Sequence, residues 1–211
     1  MKKWFSRKTR KLRHNIAKQV APGFFETARE RLYTRRTILE VKKLADTHSL
    51  VGAEIGVAAG ANAKNILETL LVKKLYLIDP YRDYEQDSKS MLASGFVDDD
   101  NVQIHSYADL QRYAVKLLKP FGSKAEFVVL ESDKAANLIP SDLDFVYIDG
   151  NHDYEHVKAD IANYYVKVRK GGIIGGDDFN CGNGVIQAVT EFAVGHGLRL
   201  MVDRRDWWIR K

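Results

Sequence analysis

Three aspartates end two neighbouring predicted strands, where their side chains can act together. Asp149 ends the fourth predicted strand, and Asp177 and Asp178 end the fifth. Adjacent parallel strands end at the same edge of a sheet, so we expect these carboxylates to converge there. Their mutual repulsion favours a hard divalent cation such as Mg2+, which binds oxygen ligands. Structural alternatives stay open: Asp177 or Asp178 caps the next helix, or Asp149 binds loop amides.

A glycine turn and a later acid indicate an adenosine-type ligand. The first predicted strand runs into a turn with Gly56 and Gly60, which allows a ligand to approach the backbone. Asp79 follows the second strand, near the spacing of roughly 20 residues at which an acid accepts hydrogen bonds from ribose hydroxyls. Position 58 is Ala, so the pyrophosphate fingerprint of NAD and FAD sites is absent. Tight packing and helix capping are the alternatives for these residues.

Short apolar runs alternate with amphipathic stretches from residue 51 onward, which predicts a parallel sheet. The predicted strands are 51–56, 74–79, 125–131, 144–149 and 172–177. Two further short strands, 198–202 and 207–209, form a hairpin around Arg204 and Arg205. This hairpin adds an antiparallel edge strand to a mostly parallel sheet.

The segments between the strands are predicted helices that cover both faces of the sheet. They are 62–71, with Asn62 as its cap, 110–118, 154–168 and a helix from 184 to about 195; residues 22–46 form another helix before the sheet. The stretch 81–107 does not fit the alternation and is predicted to be an insertion that covers a site. Tyr81, Arg82 and Tyr84 are its candidate contacts to a substrate.

Longer stretches of the sequence resemble a known enzyme superfamily. The E-x-G-x-x-x-G turn at 54–60, followed by Asp79, resembles the cofactor signature of class I S-adenosylmethionine-dependent methyltransferases. The segments at 144–155, 171–179 and 184–189 resemble the branch of macrocin-type and related sugar O-methyltransferases. The resemblance implies a Rossmann-like, doubly wound α/β fold whose seven-stranded sheet has the order 3-2-1-4-5-7-6.

The resemblance also implies which residues hold the cofactor S-adenosylmethionine. Glu54, Gly56 and Gly60 are expected to line its methionine end, and Asp79 to hold its ribose. Ser132 matches a family serine near the adenine. A plain helix cap is the alternative for Ser132.

A metal and a base follow from the same resemblance. Metal-dependent members of the superfamily carry acids at the positions of Asp149, Asp177 and Asp178. Related sequences often have His-Asp at the last two positions, so Asp178 is the better-supported ligand of that pair. His152 stands where related sugar methyltransferases have a candidate base in the motif I-D-x-x-H. Taken alone, a loop histidine here is a cap or a surface residue.

The resemblance implies methyl transfer to a hydroxyl of a sugar or a glycosylated small molecule. The cofactor is already a strong electrophile, so the protein must align the hydroxyl, lower its pKa at the metal and remove its proton through His152. One alternative is a methyltransferase that acts on RNA or on a membrane-associated glycan. Another is a non-catalytic polyanion-binding protein on the same fold, and a third is a nicotinamide-dependent oxidoreductase.

The net charge of +5 is unevenly distributed. Residues 1–50 contain fourteen Lys and Arg against four Asp and Glu, whereas residues 51–211 contain nineteen against twenty-four. We therefore divide the chain into a basic helical arm, 1–48, and a methyltransferase domain, 49–211, with the insertion 81–107. For residues 1–18, contact with an anionic membrane surface, nucleic acid or a partner subunit is open. A solvated face or a contact within a homo-oligomer is favoured, and nucleic acid is disfavoured because no base-reading motif accompanies the charge.

Composition excludes several other classes. With 211 residues, 45% of them hydrophobic and 29% charged, the chain suits one globular domain. No apolar run reaches the roughly 18 residues of a membrane-spanning helix, and the basic N-terminal stretch lacks the apolar segment of a secretory signal. The sequence thus predicts a cytoplasmic protein. The single cysteine, Cys181, excludes an internal disulfide framework and a Cys-rich zinc site.

Overall fold

The protein has the seven-stranded sheet that the sequence predicts. The computed structural model describes residues 35–45, 48–82, 104–180 and 183–211. The strands are β1 Leu50–Ile55, β2 Val72–Ile78, β3 Ala125–Val128, β4 Leu143–Ile148, β5 Val168–Gly176, β6 Leu200–Asp203 and β7 Asp206–Arg210. Their order is β3-β2-β1-β4-β5-β7-β6. The first five strands pair in parallel, and β7 runs antiparallel to β5 and β6. This confirms the predicted Rossmann-like architecture.

Six helices of the described chain are placed around this sheet. They are α1 Arg36–Lys42, α2 Ala61–Thr69, α3 Tyr107–Leu118, α4 Ser132–Ala135, α5 Tyr154–Tyr165 and α6 Asn183–Gly195, and a 3-10 segment covers Lys119–Lys124. Helix α3 begins before the predicted residue 110 because the Ser106 hydroxyl accepts a hydrogen bond from Asp109 N at 3.1 Å. Within the described ranges, no helix is both long enough and apolar enough to span a bilayer.

Strand β4 lies in the middle of the core, and all six of its residues are buried. Val146 and Ile148 pack with apolar residues of α5 and α6. Phe145 and Tyr147 pack with apolar residues of α1 and α2. Because side chains alternate between the two faces of a strand, these two clusters lie on opposite sides of the sheet. The fold is therefore doubly wound.

Strand β5 starts earlier than the predicted residue 172, and α5 ends before the predicted residue 168. Val168 is buried and pairs with Leu143 in the sheet. The chain has already left the helix, since Lys167 N donates to Tyr164 O at 3.1 Å in a turn. Val168 follows Tyr164 at a helical spacing of four residues, but the first position of a buried strand requires the same apolar side chain. Periodicity alone could not separate the two cases.

The edge strand β3 is shorter than the predicted 125–131. It ends at Val128, and the next two residues, Val129 and Leu130, are exposed. Leu130 N donates to Val128 O at 2.9 Å instead of to a neighbouring strand. An apolar run at the edge of a sheet therefore does not indicate burial.

Helix α1 is tied to the last strand of the sheet, although its residues fall within the stretch assigned to the arm. Thr37 N donates to Asp206 Oδ2 at 2.9 Å, and Thr37 Oγ1 donates to Trp207 O at 3.1 Å. The first N–H groups of a helix lack acceptors within the helix, so a carboxylate from β7 satisfies one of them. Thr37, Ile38 and Val41 are buried. The predictions for the arm before residue 35 lie outside the described residues, as do those for residues 83–103 of the insertion, Tyr84 included.

Asp160 is a buried carboxyl group on α5, only 4% exposed. Removal from water raises its pKa to about 6, although a hydrogen bond from the Ser132 hydroxyl acts in the opposite direction. The Tyr164 hydroxyl donates to Ser132 O at 2.8 Å on the same side of the sheet. A carboxyl group with a raised pKa binds its proton more tightly in the folded protein than in the unfolded chain.

We predict that Asp160→Asn flattens the pH dependence of stability in mildly acidic solution. Between the unfolded pKa near 4 and the folded pKa of about 6, the native state binds more protons, so its stability falls as pH rises. Relative to the variant, the wild type should lose about 2 kcal/mol of unfolding free energy between pH 4 and pH 7. Urea unfolding at several pH values measures this difference. The exposed Asp142→Asn is the control, and a difference that does not change with pH would contradict the assignment.

Candidate active site

A cleft of about 350 Å³ opens at the edge of the sheet where the parallel strands end. Its walls come from the turn after β1, the loop after β2, the start of α3 and the loop after β4. The lining residues are Gly56, Ala58, Asp79, Pro80, Arg82, Tyr107, Asp149, Gly150, Asn151, His152 and Asp153. This position is the usual ligand site of open α/β sheets. The structure thus brings the predicted residues Gly56, Asp79, Asp149 and His152 to one cleft.

Gly56 makes the closest backbone approach in the cleft. Its φ of +83° lies in the left-handed region, and a Cβ atom on it would stand 2.0 Å from Asp149 O. Asp149 N donates to Ile55 O at 2.7 Å, continuing the pairing of β1 with β4. Only glycine fits at this position. The turn after β1 and the loop after β4 are therefore held in direct contact.

Asp79 organises the turn that we predicted to bind the cofactor. Its Oδ2 accepts hydrogen bonds from Val57 N and Ala58 N, both at 2.9 Å. Its Oδ1 accepts a hydrogen bond from Tyr81 N at 2.8 Å. Each carboxylate oxygen has more than one acceptor direction, so these bonds leave capacity for ribose hydroxyls. The prediction that Asp79 holds the ribose stays a prediction, and its position is suitable.

Three other residues assigned to the cofactor are not among those that line this cleft. Glu54 is 1% exposed, and its Oε1 accepts a hydrogen bond from Asn62 Nδ2 at 2.8 Å. Gly60, with φ of +81°, is the N-cap of α2 and packs against α3. Asn62 therefore lies inside the helix, and its predicted role as cap is wrong. The hydroxyl of Ser132 donates to Asp160, and Glu131 occupies the cap position of α4.

Tyr81 contacts the turn after β1 through a hydrogen bond. Its hydroxyl donates to Ala58 O at 3.2 Å, and its ring is only 7% exposed. Burial, together with the nearby charges of Asp79 and Glu54, raises the pKa of this phenol. Both Tyr81 and Ala58 have positive φ, at 48° and 47°. The predicted role of Tyr81 as a substrate contact is not favoured by this burial, whereas Arg82 does line the cleft.

Asp149, His152 and Asp178 form a compact cluster beside the cleft. Among the residues that the structure describes, one ligand atom from each of these three lies within 4.8 Å of the other two. His152 Nε2 is 3.0 Å from Asp178 Oδ2 and 3.8 Å from Asp149 Oδ1. Hydrogen bonding to the two carboxylates raises the pKa of His152 to about 10, despite partial burial. In this arrangement the imidazole carries a positive charge at neutral pH.

Asp177, the third predicted metal ligand, stands apart from this cluster. Arg205 Nε lies 3.2 Å from its Oδ1, and Arg205 Nη2 lies 2.9 Å from its Oδ2. Arg205 also forms a hydrogen bond with Asp178 Oδ1. The expected convergence of Asp177 and Asp178 thus occurs around a guanidinium group. We did not single out Arg205 from the sequence, although a pair of arginines in the hairpin and a pair of aspartates after β5 were visible signals.

The cluster of Asp149, His152 and Asp178 has the donor types that a divalent cation requires. The carboxylate oxygens of Asp149 and Asp178 suit Mg2+, Mn2+ or a similar ion, with further ligands from water or substrate. In the structure, the negative charge of the two carboxylates is balanced by two protein cations, His152 and Arg205. The residues present therefore fit a cation site centred on Asp149 and Asp178.

Comparison with known proteins agrees with this geometry. Residues 53–179 match a protein family described as Methyltransferase domain. The chain is 28% identical over 144 residues to uncharacterized protein R132 of Acanthamoeba polyphaga mimivirus, covering 66% of this chain and 57% of that protein. The chain thus spans a little over half the length of this curated relative.

Two solved structures illustrate the shared fold. The O-methyltransferase NovP matches with a TM-score of 0.60 at 19% identity, covering 82% of this chain and 78% of that chain. CalS11, a TDP-rhamnose 3'-O-methyltransferase of calicheamicin biosynthesis, matches with a TM-score of 0.55 at 13% identity, covering 87% and 84%. Likeness at this level of identity concerns the fold alone.

The family match includes the features that build the cleft. It begins within β1, contains the turn at Gly56, Asp79 and Asp149, and ends just after Asp178. It covers more than half of the chain, and S-adenosylmethionine is the cofactor of the methyltransferase family. The chain therefore belongs to this family of methyltransferase domains.

Proposed function

We propose that the protein is an S-adenosylmethionine-dependent O-methyltransferase that uses a divalent cation such as Mg2+. Its proposed acceptor is a hydroxyl of a sugar or of a glycosylated small molecule. The observation that carries this proposal is the cluster of Asp149, His152 and Asp178 beside a cleft whose other wall is the turn at Gly56. A cofactor cleft and a group of acid–base residues therefore share one sheet edge.

The cofactor part of the proposal rests on the turn after β1 and on Asp79. The glycine at position 56 exposes the backbone of the turn to a ligand, and Asp79 fixes that turn through the N–H groups of Val57 and Ala58. The reactive methyl of the cofactor is already activated, so the main tasks of the protein are alignment of the acceptor and removal of its proton. No reducing equivalent is needed.

The acid–base part rests on the residues at the end of β4 and β5. Asp149 and Asp178 would hold the cation, which when bound lowers the pKa of a coordinated hydroxyl. His152 is 49% exposed in its side chain and faces the same cleft, so its imidazole is within reach of an acceptor. It can accept a proton only when the charge of the two carboxylates is otherwise compensated, since these carboxylates raise its pKa.

The acceptor is proposed from the shape and chemistry of the cleft. Its volume of about 350 Å³ is at the small end of the range for small-molecule sites. Arg82 and Tyr107 on its rim offer a cation and an aromatic ring, groups that contact sugars and phosphates. The similarity of fold to a TDP-rhamnose methyltransferase makes nucleotide-linked sugars the first acceptors to test.

We predict that the protein binds S-adenosylmethionine and that Asp79→Asn weakens this binding. Asp79 accepts hydrogen bonds from backbone N–H groups through both carboxylate oxygens. In the variant, the amide NH2 would face one of these donors, which would break a hydrogen bond and loosen the turn. The dissociation constant should rise by at least about tenfold, equivalent to about 1.4 kcal/mol. Calorimetric titration of the variant, the wild type and the control Asp142→Asn measures the effect. Absence of cofactor binding by the wild type would contradict the proposed function.

We predict that EDTA abolishes methyl transfer and that Mg2+ restores it. Turnover is measured as formation of S-adenosylhomocysteine. TDP-rhamnose is the test acceptor, and catechol, whose hydroxyls are not on a sugar, is the comparison acceptor. Asp149→Asn should weaken binding of the probe Mn2+ by about tenfold or more, because a carboxylate ligand is lost. Full turnover in EDTA would remove the cation from the mechanism and leave methyl transfer standing. Methylation of catechol alone would instead overturn the sugar acceptor.

We predict that His152→Ala lowers kcat by about 100-fold or more, the usual contribution of a general base. Binding of Mn2+ to this variant should stay within about threefold of the wild type, because two carboxylates still hold the ion. Near-normal kcat would show that His152 is not the base. Loss of Mn2+ binding together with activity would make His152 a ligand instead, so the two measurements distinguish the roles.

A further inference from the structure

Arg205 lies on the turn of the C-terminal hairpin, beyond the residues that the family match covers. The turn is formed by Arg204 and Arg205, between Asp203 of β6 and Asp206 of β7. Strand β7 pairs with β5 up to Gly176, so the turn stands next to the loop that carries Asp177 and Asp178. The hairpin therefore brings a cation to the end of β5.

The main chain fixes this position independently of the side chain. Phe179 N donates to Arg205 O at 2.9 Å, which joins the loop after β5 to the turn of the hairpin. Trp207, two residues later, is 1% exposed and anchors β7 in the core. The backbone of Arg205 is consequently held next to the loop after β5.

The two aspartates use their oxygens differently. Both oxygens of Asp177 face Arg205, at 3.2 Å from Nε and 2.9 Å from Nη2. Asp178 presents Oδ1 to Arg205, whereas its Oδ2 lies 3.0 Å from His152 Nε2. One carboxylate therefore anchors the arginine, and the other is shared between the arginine and the cluster.

The backbone of Asp178 needs such support. Its φ of +58° lies in the left-handed region, which costs free energy for a residue with a side chain. Its carboxylate is buried, with 9% of the side chain exposed. The surrounding contacts must therefore hold Asp178 in this backbone conformation.

We propose that Arg205 is a positioning residue that orients Asp178 for cation binding, and that Asp177 holds Arg205 instead of binding the cation. This inference rests on the proposed function. Arg205 restrains Oδ1 of Asp178 and leaves Oδ2 directed at Asp149 and His152. Outer partners of this kind orient metal-binding carboxylates, and their loss typically weakens metal affinity by about 10- to 100-fold.

The test compares binding of Mn2+ to the full-length protein by electron paramagnetic resonance. Arg205→Gln removes the charge and the paired contacts, and Arg205→Lys keeps the charge without the planar fork. Arg204→Gln is the matched control, since Arg204 is its exposed neighbour in the same turn. Calorimetry with S-adenosylmethionine and thermal unfolding verify that each variant keeps its fold and its cofactor site.

We expect Arg204→Gln to bind Mn2+ like the wild type, and Arg205→Gln to bind it at least about tenfold more weakly. Arg205→Lys should fall between them, and it carries the test if the glutamine variant does not fold. Asp177→Asn should weaken binding less than Asp178→Asn, because Asp177 acts through Arg205.

Three results would overturn the inference alone. Binding of Mn2+ by both Arg205 variants within about twofold of the wild type would show that Arg205 does not position the site. Tighter binding in Arg205→Gln would show that the arginine competes with the cation. Equal losses in Asp177→Asn and Asp178→Asn would make both aspartates ligands. Failure of the wild type itself to bind Mn2+ would instead refute the proposed cation site, and the inference with it.

Discussion

The contact between Gly56 and the carbonyl of Asp149 is the constraint on which the rest of the cleft depends. It exists because position 56 has no Cβ atom and because β1 and β4 are adjacent and parallel. The contact fixes the distance between the proposed cofactor turn and the carboxylate cluster. Asp79 then sets the conformation of the turn, and β5 adds Asp178 from the other side of β4. Two chemical functions thus share one rigid edge of the sheet.

Charge balance determines how this edge is arranged. Asp178 lies close enough to both Asp149 and Asp177 to be repelled by them, and burial of Asp177 and Asp178 increases that cost. The chain compensates with the imidazole of His152 and the guanidinium of Arg205. His152 lies beside Asp149 and Asp178, and Arg205 pairs with Asp177 and Asp178. Asp177 thus forms its ion pair within the protein, whereas Asp149 faces the cleft. A cation at the cluster would replace only part of this compensation.

The strand order was implied by the resemblance to the methyltransferase superfamily. The alternation of apolar runs with amphipathic stretches made the doubly wound faces and the hairpin predictable. The convergence of Asp149 and Asp178 was predictable for the same reason, since strand ends define the sheet edge. The start of β5 at Val168 was not, because an apolar residue satisfies a helix and a buried strand equally well. The engagement of Asp177 with Arg205 was missed because it depends on side-chain reach across a turn. The hydrogen bond that the Ser132 hydroxyl donates to Asp160 likewise depends on packing between α4 and α5.

The attachment of α1 to β7 has a consequence for the order in which the domain can assemble. Thr37 and Asp206 are 169 positions apart, and Arg205 stands beside the second of them. During synthesis, β1 to β5 emerge before the hairpin, so α1 lacks its capping carboxylate and Asp177 and Asp178 lack their arginine until the last strand leaves the ribosome. Contacts of such long sequence separation are intrinsically slow to form. The C-terminal hairpin therefore supplies both the capping carboxylate of α1 and the arginine that pairs with Asp177 and Asp178.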